Sequence, residues 1–443
     1  MICENLKISC ATLIRSVVVL FSLIIGFAVQ AKELLGVDLD RGEYIARLGN
    51  CVACHTVENG QPFAGGLKME VPNMGAIYAT NITPNPETGI GLYSFEDFDQ
   101  AMRKGIAKEG HRLYPAMPYP AYAKMSEQDM RDLYDYFMHG VKPVHQENLP
   151  AEISPLLSAR WPLGVWSALF TKNTPYQPDP ERSAEWNRGA YLTQGLGHCG
   201  ACHTPRGLFF QEKAMDERNA NFLAGATLDH WYASSLNGDI NSGLGRWTKQ
   251  DIVDFLKTGH NRFGSAFGTM VEVVNTSTHH MTDEDLNAMA EYLKSLPAVK
   301  EKGEPAYSYN NKTASALKAL EYDEPGALIY SQYCSSCHQS DGKGQSPYHP
   351  PLAGNPVIMD ADPSSLINIT LNGSLRVIAN DIPDRYNMPY FREQLNDTQI
   401  AQVISFMRSG WGNTGDAVTV KQVSAIREAT DPTRNDIRVL RMK

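Results

Sequence analysis

The chain has 443 residues, 42% of them hydrophobic and 20% charged. That length is enough for roughly two to four ordinary domains with sizeable cores. Its formal net charge of −9 leaves no electrostatic footprint for a nucleic-acid partner.

In chain order, the first element is a secretory signal. Lys7 and Arg15 precede an apolar run from Ser16 to Phe27, and Val29-Gln30-Ala31 fits a small-x-small cleavage site, so residues 1–31 are expected to be removed. The alternative is an uncleaved N-terminal anchor, for which the run is short. No later stretch is long and apolar enough to cross a bilayer.

Three similar segments follow, expected at 32–150, 181–300 and 323–411. Each opens on a helix with a glycine eight to ten residues before a Cys-x-x-Cys-His string, at Gly42, Gly189 and Gly326. Two of the helices carry matching strings, Arg41-Gly-Glu-Tyr-Ile and Arg188-Gly-Ala-Tyr-Leu. A short helix is expected after Ser94-x-x-Asp97, after Thr248-x-x-Asp251 and at Asp362-Pro363, where the proline is placed first in the helix. A stronger helix closes each segment, after Ser126-x-x-Asp129, Thr282-x-x-Asp285 and Asn396-x-x-Gln399, all read as capping boxes. The staple pairs are Met125/Met130, Met281/Leu286 and Leu395/Ile400. The predicted class is all-α: three consecutive small helical domains.

Between the segments lie two linkers. Residues 151–180 contain the most apolar stretch after the signal, Arg160 to Phe170. It is too short to span a membrane, and its two tryptophans beside an arginine suit either an interfacial segment lying on lipid or packing on a neighbouring domain. Residues 301–322 are polar. The tail 412–443 ends in Arg434, Arg438, Arg441 and Lys443. It is read as a strap over the protein's own surface, with docking on a partner or on anionic lipid as the other reading.

The eight cysteines sort cleanly. Cys3 and Cys10 fall in the signal. The rest form Cys51/Cys54, Cys199/Cys202 and Cys334/Cys337, each pair followed at once by His55, His203 or His338. This is the attachment signature of haem c: two thiols on one helical turn add to the two vinyl groups of one porphyrin, and the next residue supplies the proximal imidazole. A thioredoxin-like site needs one such pair, not three. Half a zinc site needs further ligands and different spacing. Three covalent haems c are expected.

The sixth iron position takes Met, a second His, or nothing. Met117 and Met388 each begin a Met-Pro-Tyr string in a proline-rich loop before the last helix. The middle segment offers Met270 or Met281. Met281 aligns with Met125 and Leu395, and leucine cannot ligate iron, so that column is packing and Met270 is the choice. The spare histidines His111, His198, His260, His279 and His280 are the bis-histidine alternative. Arg206, just after the second motif, is a candidate partner for a haem propionate.

These motifs, with Tyr78-Ala-Thr-Asn-Ile-Thr-Pro84, Thr88-Gly-Ile-Gly91, Tyr114-Pro-Ala-Met-Pro-Tyr-Pro120, Arg160-Trp-Pro-Leu163 and Cys199-Gly-Ala-Cys-His-Thr-Pro-Arg-Gly207, make the chain similar over nearly its whole mature length to the tri-haem cytochrome c subunits of bacterial membrane-bound dehydrogenases (alcohol, gluconate, sorbitol and fructose types, and some molybdenum enzymes). The resemblance implies an exported electron-transfer subunit at the periplasmic face of the inner membrane, attached peripherally. Its electrons would come from a flavin-, PQQ- or molybdenum-containing catalytic subunit and pass through the haems to ubiquinone, with a gluconate-type substrate favoured. It also supports Met117, Met270 and Met388 as ligands. No catalytic residues are expected, since the chain has no flavin or nicotinamide fingerprint and no nucleophile–base set. The rivals are a self-contained multihaem peroxidase or reductase, which needs an open haem site, and a terminal-oxidase subunit, which would normally carry a spanning anchor.

Overall fold

The computed structural model describes residues 39–71, 75–153, 159–301, 303–375, 377 and 386–432. The signal 1–31 and the four basic residues at the end of the tail lie outside the described residues.

Each repeat is built on a crossing of its first and last helices. Leu39–Leu48 packs on Glu127–Asp135, Ala184–Tyr191 on Asp283–Ser295, and Ala327–Tyr333 on Asp397–Ser409. The glycines explain how close the helices come. A Cβ on Gly42 would stand 2.2 Å from the Asp132 carbonyl oxygen and 2.5 Å from Tyr136 Cβ. On Gly189 it would stand 1.9 Å from the Ala288 oxygen and 2.8 Å from Tyr292 Cβ, and on Gly326 2.3 Å from the Gln402 oxygen and 3.0 Å from Phe406 Cβ. The same three-way contact of glycine, backbone and aromatic recurs in all three repeats.

The staple residues Met125, Met281 and Leu395 are buried, as are Met130, Leu286 and Ile400. The short helices Phe95–Lys104 and Lys249–Thr258 carry complete capping boxes from Ser94 and Thr248, and Asn396 with Gln399 completes a third on Asp397–Ser409. The boxes expected at Ser126 and Thr282 are only half formed: each hydroxyl accepts from the third helical amide, but Asp129 and Asp285 turn elsewhere. At the third short helix, Asp362 caps the Ser364 amide at 2.9 Å. The helix therefore starts at Ser364, with Pro363 just outside it.

The fold is largely helical, and the all-α expectation needs one correction. Lys68–Val71, Gly75–Tyr78 and Glu152–Ile153 form a three-stranded antiparallel sheet, and Ala226–Leu228 with Trp231–Ala233, and His260–Asn261 with Gly264–Ser265, form two-stranded ones. Most of these strands lie in the loops between a Cys-x-x-Cys-His string and the closing helix, with Glu152–Ile153 joining from beyond the first closing helix; backbone near the core there must pair its polar groups. At two to four residues they are too short for alternation to be legible.

The first two repeats share one continuous core, from Ile45 through Phe137, Trp186 and Leu196 to Leu296. The third has its own, which reaches beyond 323–411: Ala314 and Leu317 on helix Lys312–Lys318 join it from the expected linker, and Val418 and Val423 join it from the tail. Helix Val420–Ala429 lies along this repeat, with Arg427 donating to Asp397 at 2.5 Å and to the Leu395 carbonyl at 2.7 Å. Among the described residues no helix is long and apolar enough to cross a membrane.

Candidate haem-attachment sites

All three Cys-x-x-Cys-His strings fold as a single helical turn, at Cys51–His55, Gly200–His203 and Ser335–His338. None of the six cysteines is in a disulfide. Burial, together with the neighbouring thiol of each pair, pushes Cys51, Cys199 and Cys334 up to about 12. Thiols held protonated in this way do not fit a thioredoxin-type thiolate.

Each histidine is oriented identically. His55 Nδ1 is 2.6 Å from the Thr80 carbonyl oxygen, His203 Nδ1 is 2.7 Å from that of Ser234, and His338 Nδ1 is 3.0 Å from that of Pro350. A carbonyl accepts only from an N–H, so Nδ1 carries the proton and Nε2 has the free lone pair a metal requires. Burial lowers all three imidazole pKa values, although the same hydrogen bonds oppose it, and so favours the neutral ligand form. The histidine carbonyls are held too, accepting from the amides of Gly65, Gly225 and Gly344. Two thiols and one oriented neutral imidazole per turn fit a covalently attached haem.

Two of the three proximal supports come from loop hairpins. Hairpin Lys68–Val71/Gly75–Tyr78 delivers Thr80, and Asn81 beside it is buried, donating to Thr88 Oγ1 at 3.1 Å and to the Val144 carbonyl at 2.8 Å. Hairpin Ala226–Leu228/Trp231–Ala233 delivers Ser234. Nothing in the sequence marks Ser234 or Pro350 for this task. Thr80 lies in one of the strings that carried the family resemblance.

Of the methionines, Met117 is half-buried against the shared core in a tight turn, with the Tyr119 amide donating to its carbonyl at 2.8 Å. Met388 is half-buried, its carbonyl accepting from the Ser374 amide at 3.1 Å. Met270 also packs against the shared core, in the first turn of helix Thr269–Thr276 rather than in a loop. Met281 is in the core. Arg206 is engaged locally, donating to the carbonyls of Ala201 and Phe210 and lying 3.9 Å from Glu212.

The first two motifs face one another across the shared core. Tyr122 donates to the Gly49 carbonyl at 2.8 Å, next to the first motif, and its ring lies 5.6 Å from that of His198, next to the second. Thr276 of the second repeat donates to Asn50 Oδ1 at 2.6 Å. A reciprocal pair of tyrosines locks this arrangement. Tyr191 donates to Asp129 at 2.6 Å and accepts from the Ser126 amide at 3.1 Å. Tyr44 donates to Asp285 at 2.7 Å and accepts from the Thr282 amide at 3.2 Å. Arg41 pairs with Asp129, and Arg188 with both oxygens of Asp285, each at 2.7 Å.

A cytochrome c family model matches residues 39–140 and 324–411. Over 409 residues the chain is 46% identical to the alcohol dehydrogenase (quinone) cytochrome c subunit of Gluconobacter oxydans (strain 621H), covering 91% of this chain and 85% of that one. It is 46% identical over 405 residues to the gluconate 2-dehydrogenase cytochrome c subunit of Pantoea cypripedii, covering 90% and 91%. To the fructose dehydrogenase cytochrome subunit of Gluconobacter japonicus it is 36% identical over 410 residues, covering 88% and 82%. With its oriented histidines and paired thiols, the chain belongs to the cytochrome c subunits of dehydrogenase complexes, the electron-transfer partners of a substrate-oxidising subunit.

Proposed function

We propose that this chain carries three covalently bound haems c, one in each of three cytochrome c-like domains. It relays electrons from a catalytic dehydrogenase subunit, which oxidises an alcohol, sugar or sugar acid, to ubiquinone. The observation that carries this reading is the threefold recurrence of one geometry: two free thiols, a proximal imidazole with Nδ1 tied to a backbone carbonyl, and a glycine-tight helix crossing behind them. Cys51, Cys54, Cys199, Cys202, Cys334 and Cys337 form the thioethers. His55, His203 and His338 take the proximal positions, and Met117, Met270 and Met388 the distal ones. The apposition of the first two motifs around Tyr122 supports rapid exchange between their haems. The relatives' printed names support alcohol, gluconate and fructose dehydrogenases as the range of partners and a quinone as acceptor. Gluconate is the favoured substrate class, and the partner's own cofactor is flavin, PQQ or molybdenum.

The chain is exported by its signal and works at the periplasmic face of the inner membrane, attached peripherally. Helix Trp161–Phe170 supports this attachment. It lies beside the loop Leu208-Phe209-Phe210, with Trp166 Nε1 donating to the Phe209 carbonyl at 2.8 Å and the Phe170 and Phe209 rings stacked at 6.2 Å. Together they expose Trp161 (75%), Leu169 (70%) and Leu208 (88%), an apolar face with aromatic residues of the kind found at lipid interfaces.

The test is purification of the tagged holoprotein from native membranes. Co-purification of a stoichiometric dehydrogenase, whose substrate reduces the haems and then quinone, is the expected result. A lone protein that turns over peroxide would overturn the relay.

A further inference from the structure

Ser234 is bonded in two directions. Its carbonyl accepts from His203 Nδ1 at 2.7 Å. Its hydroxyl donates at 2.6 Å to Asp360, a residue of the third repeat that is 1% exposed. A single residue therefore separates the proximal imidazole of the second motif from a buried carboxyl in the next repeat. We propose that Asp360 is a positioning residue that binds a proton in step with reduction at His203, so that the potential of the second haem falls as pH rises.

The surroundings of Asp360 make this possible. Arg408 reaches it, yet spends its donors on main-chain carbonyls: Nε on Asp416, Nη1 on Ile358 and Nη2 on Asp360's own. The Lys300 ammonium is held by the Ala224 carbonyl and the Tyr232 hydroxyl. Asp362 adds like charge while accepting from Thr227, and the Tyr232 phenol is also in range. Burial dominates and drives the carboxyl well above its ordinary range, with Asp362 reinforcing it and Ser234, Lys300 and Arg408 only partly opposing. Its proton-binding range is therefore raised, so that the charge on a neighbouring centre decides between acid and carboxylate. A nearby centre that gains a positive charge on oxidation favours the carboxylate, and one that loses it favours the acid. At pH values where the oxidised site holds Asp360 as the carboxylate, reduction takes one electron from the partner dehydrogenase and one proton from solvent, and the proton lands on that carboxylate. The balance reverses when the electron leaves.

This inference rests on the proposal that Cys199, Cys202 and His203 carry a haem, so the haem content of each sample is counted first by pyridine haemochrome. Two haems rather than three would overturn that reading and this inference with it. With three present, spectroelectrochemical titration of the purified holoprotein across its stable pH range should show one midpoint falling, with a limiting slope of about 59 mV per pH unit, the value of a tenfold change in K for one electron. In Asp360→Asn that midpoint should become independent of pH and stay at the low-pH limit of the wild type, because amide and acid are both neutral. Ser234→Ala keeps the carbonyl and removes the donor that favours the carboxylate, so the fall should move to higher pH. This second variant gives a readout if the first does not fold. A pH slope unchanged in Asp360→Asn, or a Ser234→Ala profile superimposable on the wild type, would overturn the coupling.

Discussion

The Tyr191 hydroxyl stands between the Ser126 amide and the Asp129 carboxylate, occupying from the second repeat the place that Asp129 itself would take in a closed capping box of the first. Tyr44 does the same to Thr282 and Asp285 in the opposite direction. Local capping and docking between repeats thus use the same atoms.

Tyr191→Phe should therefore cost more than a surface hydroxyl. Asp129 is buried, and hydrogen bonds to charged groups contribute about 1.5–3 kcal/mol. Urea unfolding of the holoprotein should show a loss of that order. Tyr44→Phe should match it, and the double variant should lose about the sum if the two ends act independently.

The first two repeats also predict an acid response. Burial pushes the Asp285 carboxyl up, but hydrogen bonds from Arg188 and Tyr44 outweigh it and hold the group below its usual value. A depressed carboxyl contributes stability that is fully present above its unfolded pKa, about 3.9 for Asp, and is lost as pH falls through its folded value. Asp285→Asn should be less stable than the wild type at neutral pH, and the gap should close on acidification below about pH 4. Denaturant midpoints measured at a series of pH values would check this.

Gly189→Ala places a methyl 1.9 Å from the Ala288 carbonyl oxygen. The helices cannot both stay where they are, and overpacking of this kind costs about 1–3 kcal/mol. The expected outcome is a lower yield of holoprotein and a lower melting temperature, with the equivalent change at Gly326 aggravated by its φ of +92°. Soluble haem content per polypeptide is the measurement.

Replacing Met117, Met270 or Met388 singly by Leu should leave three covalent haems but remove one thioether ligand. One haem should then fall in potential and bind carbon monoxide when reduced, while the other two are unchanged. A Met270 variant with unaltered potentials and no carbon monoxide binding would return the spare histidines to consideration.

Trp161→Ser combined with Phe209→Ser should abolish flotation of the holoprotein with vesicles of anionic phospholipid, while haem content and melting temperature stay as in the wild type. Flotation equal to that of the wild type would remove this face from the membrane contact.

Much of this was legible because it is local. A Cys-x-x-Cys-His turn is complete within five residues, and a glycine recurs eight to ten residues before each one. The Ser126-x-x-Asp129 and Thr282-x-x-Asp285 strings misled in part because a capping box is read within one segment. The groups that open these boxes, Tyr191 and Tyr44, come from another repeat. Asn396-x-x-Gln399 closed as expected because no such tyrosine reaches it. The Leu208-Phe209-Phe210 run drew no attention in the sequence, because its pairing with Trp166 exists only in the fold. Ser234 and Asp360 carry no motif at all, since their relationship exists only where two repeats meet.

The exchange of Tyr44 and Tyr191 has a further consequence. Each of the first two repeats offers the same patch and receives the same patch, which is an isologous, self-closing contact. Once made, it leaves neither copy free to recruit another. A third copy of that patch would invite dimerisation with a neighbouring molecule. The third repeat does not offer it: Pro325, Leu328 and Gln399 stand where the others have arginine, tyrosine and aspartate, and Gln399 is committed to its own cap. The third repeat instead meets the second through Asp360, Asp362 and Ser365. One face thus closes a symmetric pair, and a different face adds the third member.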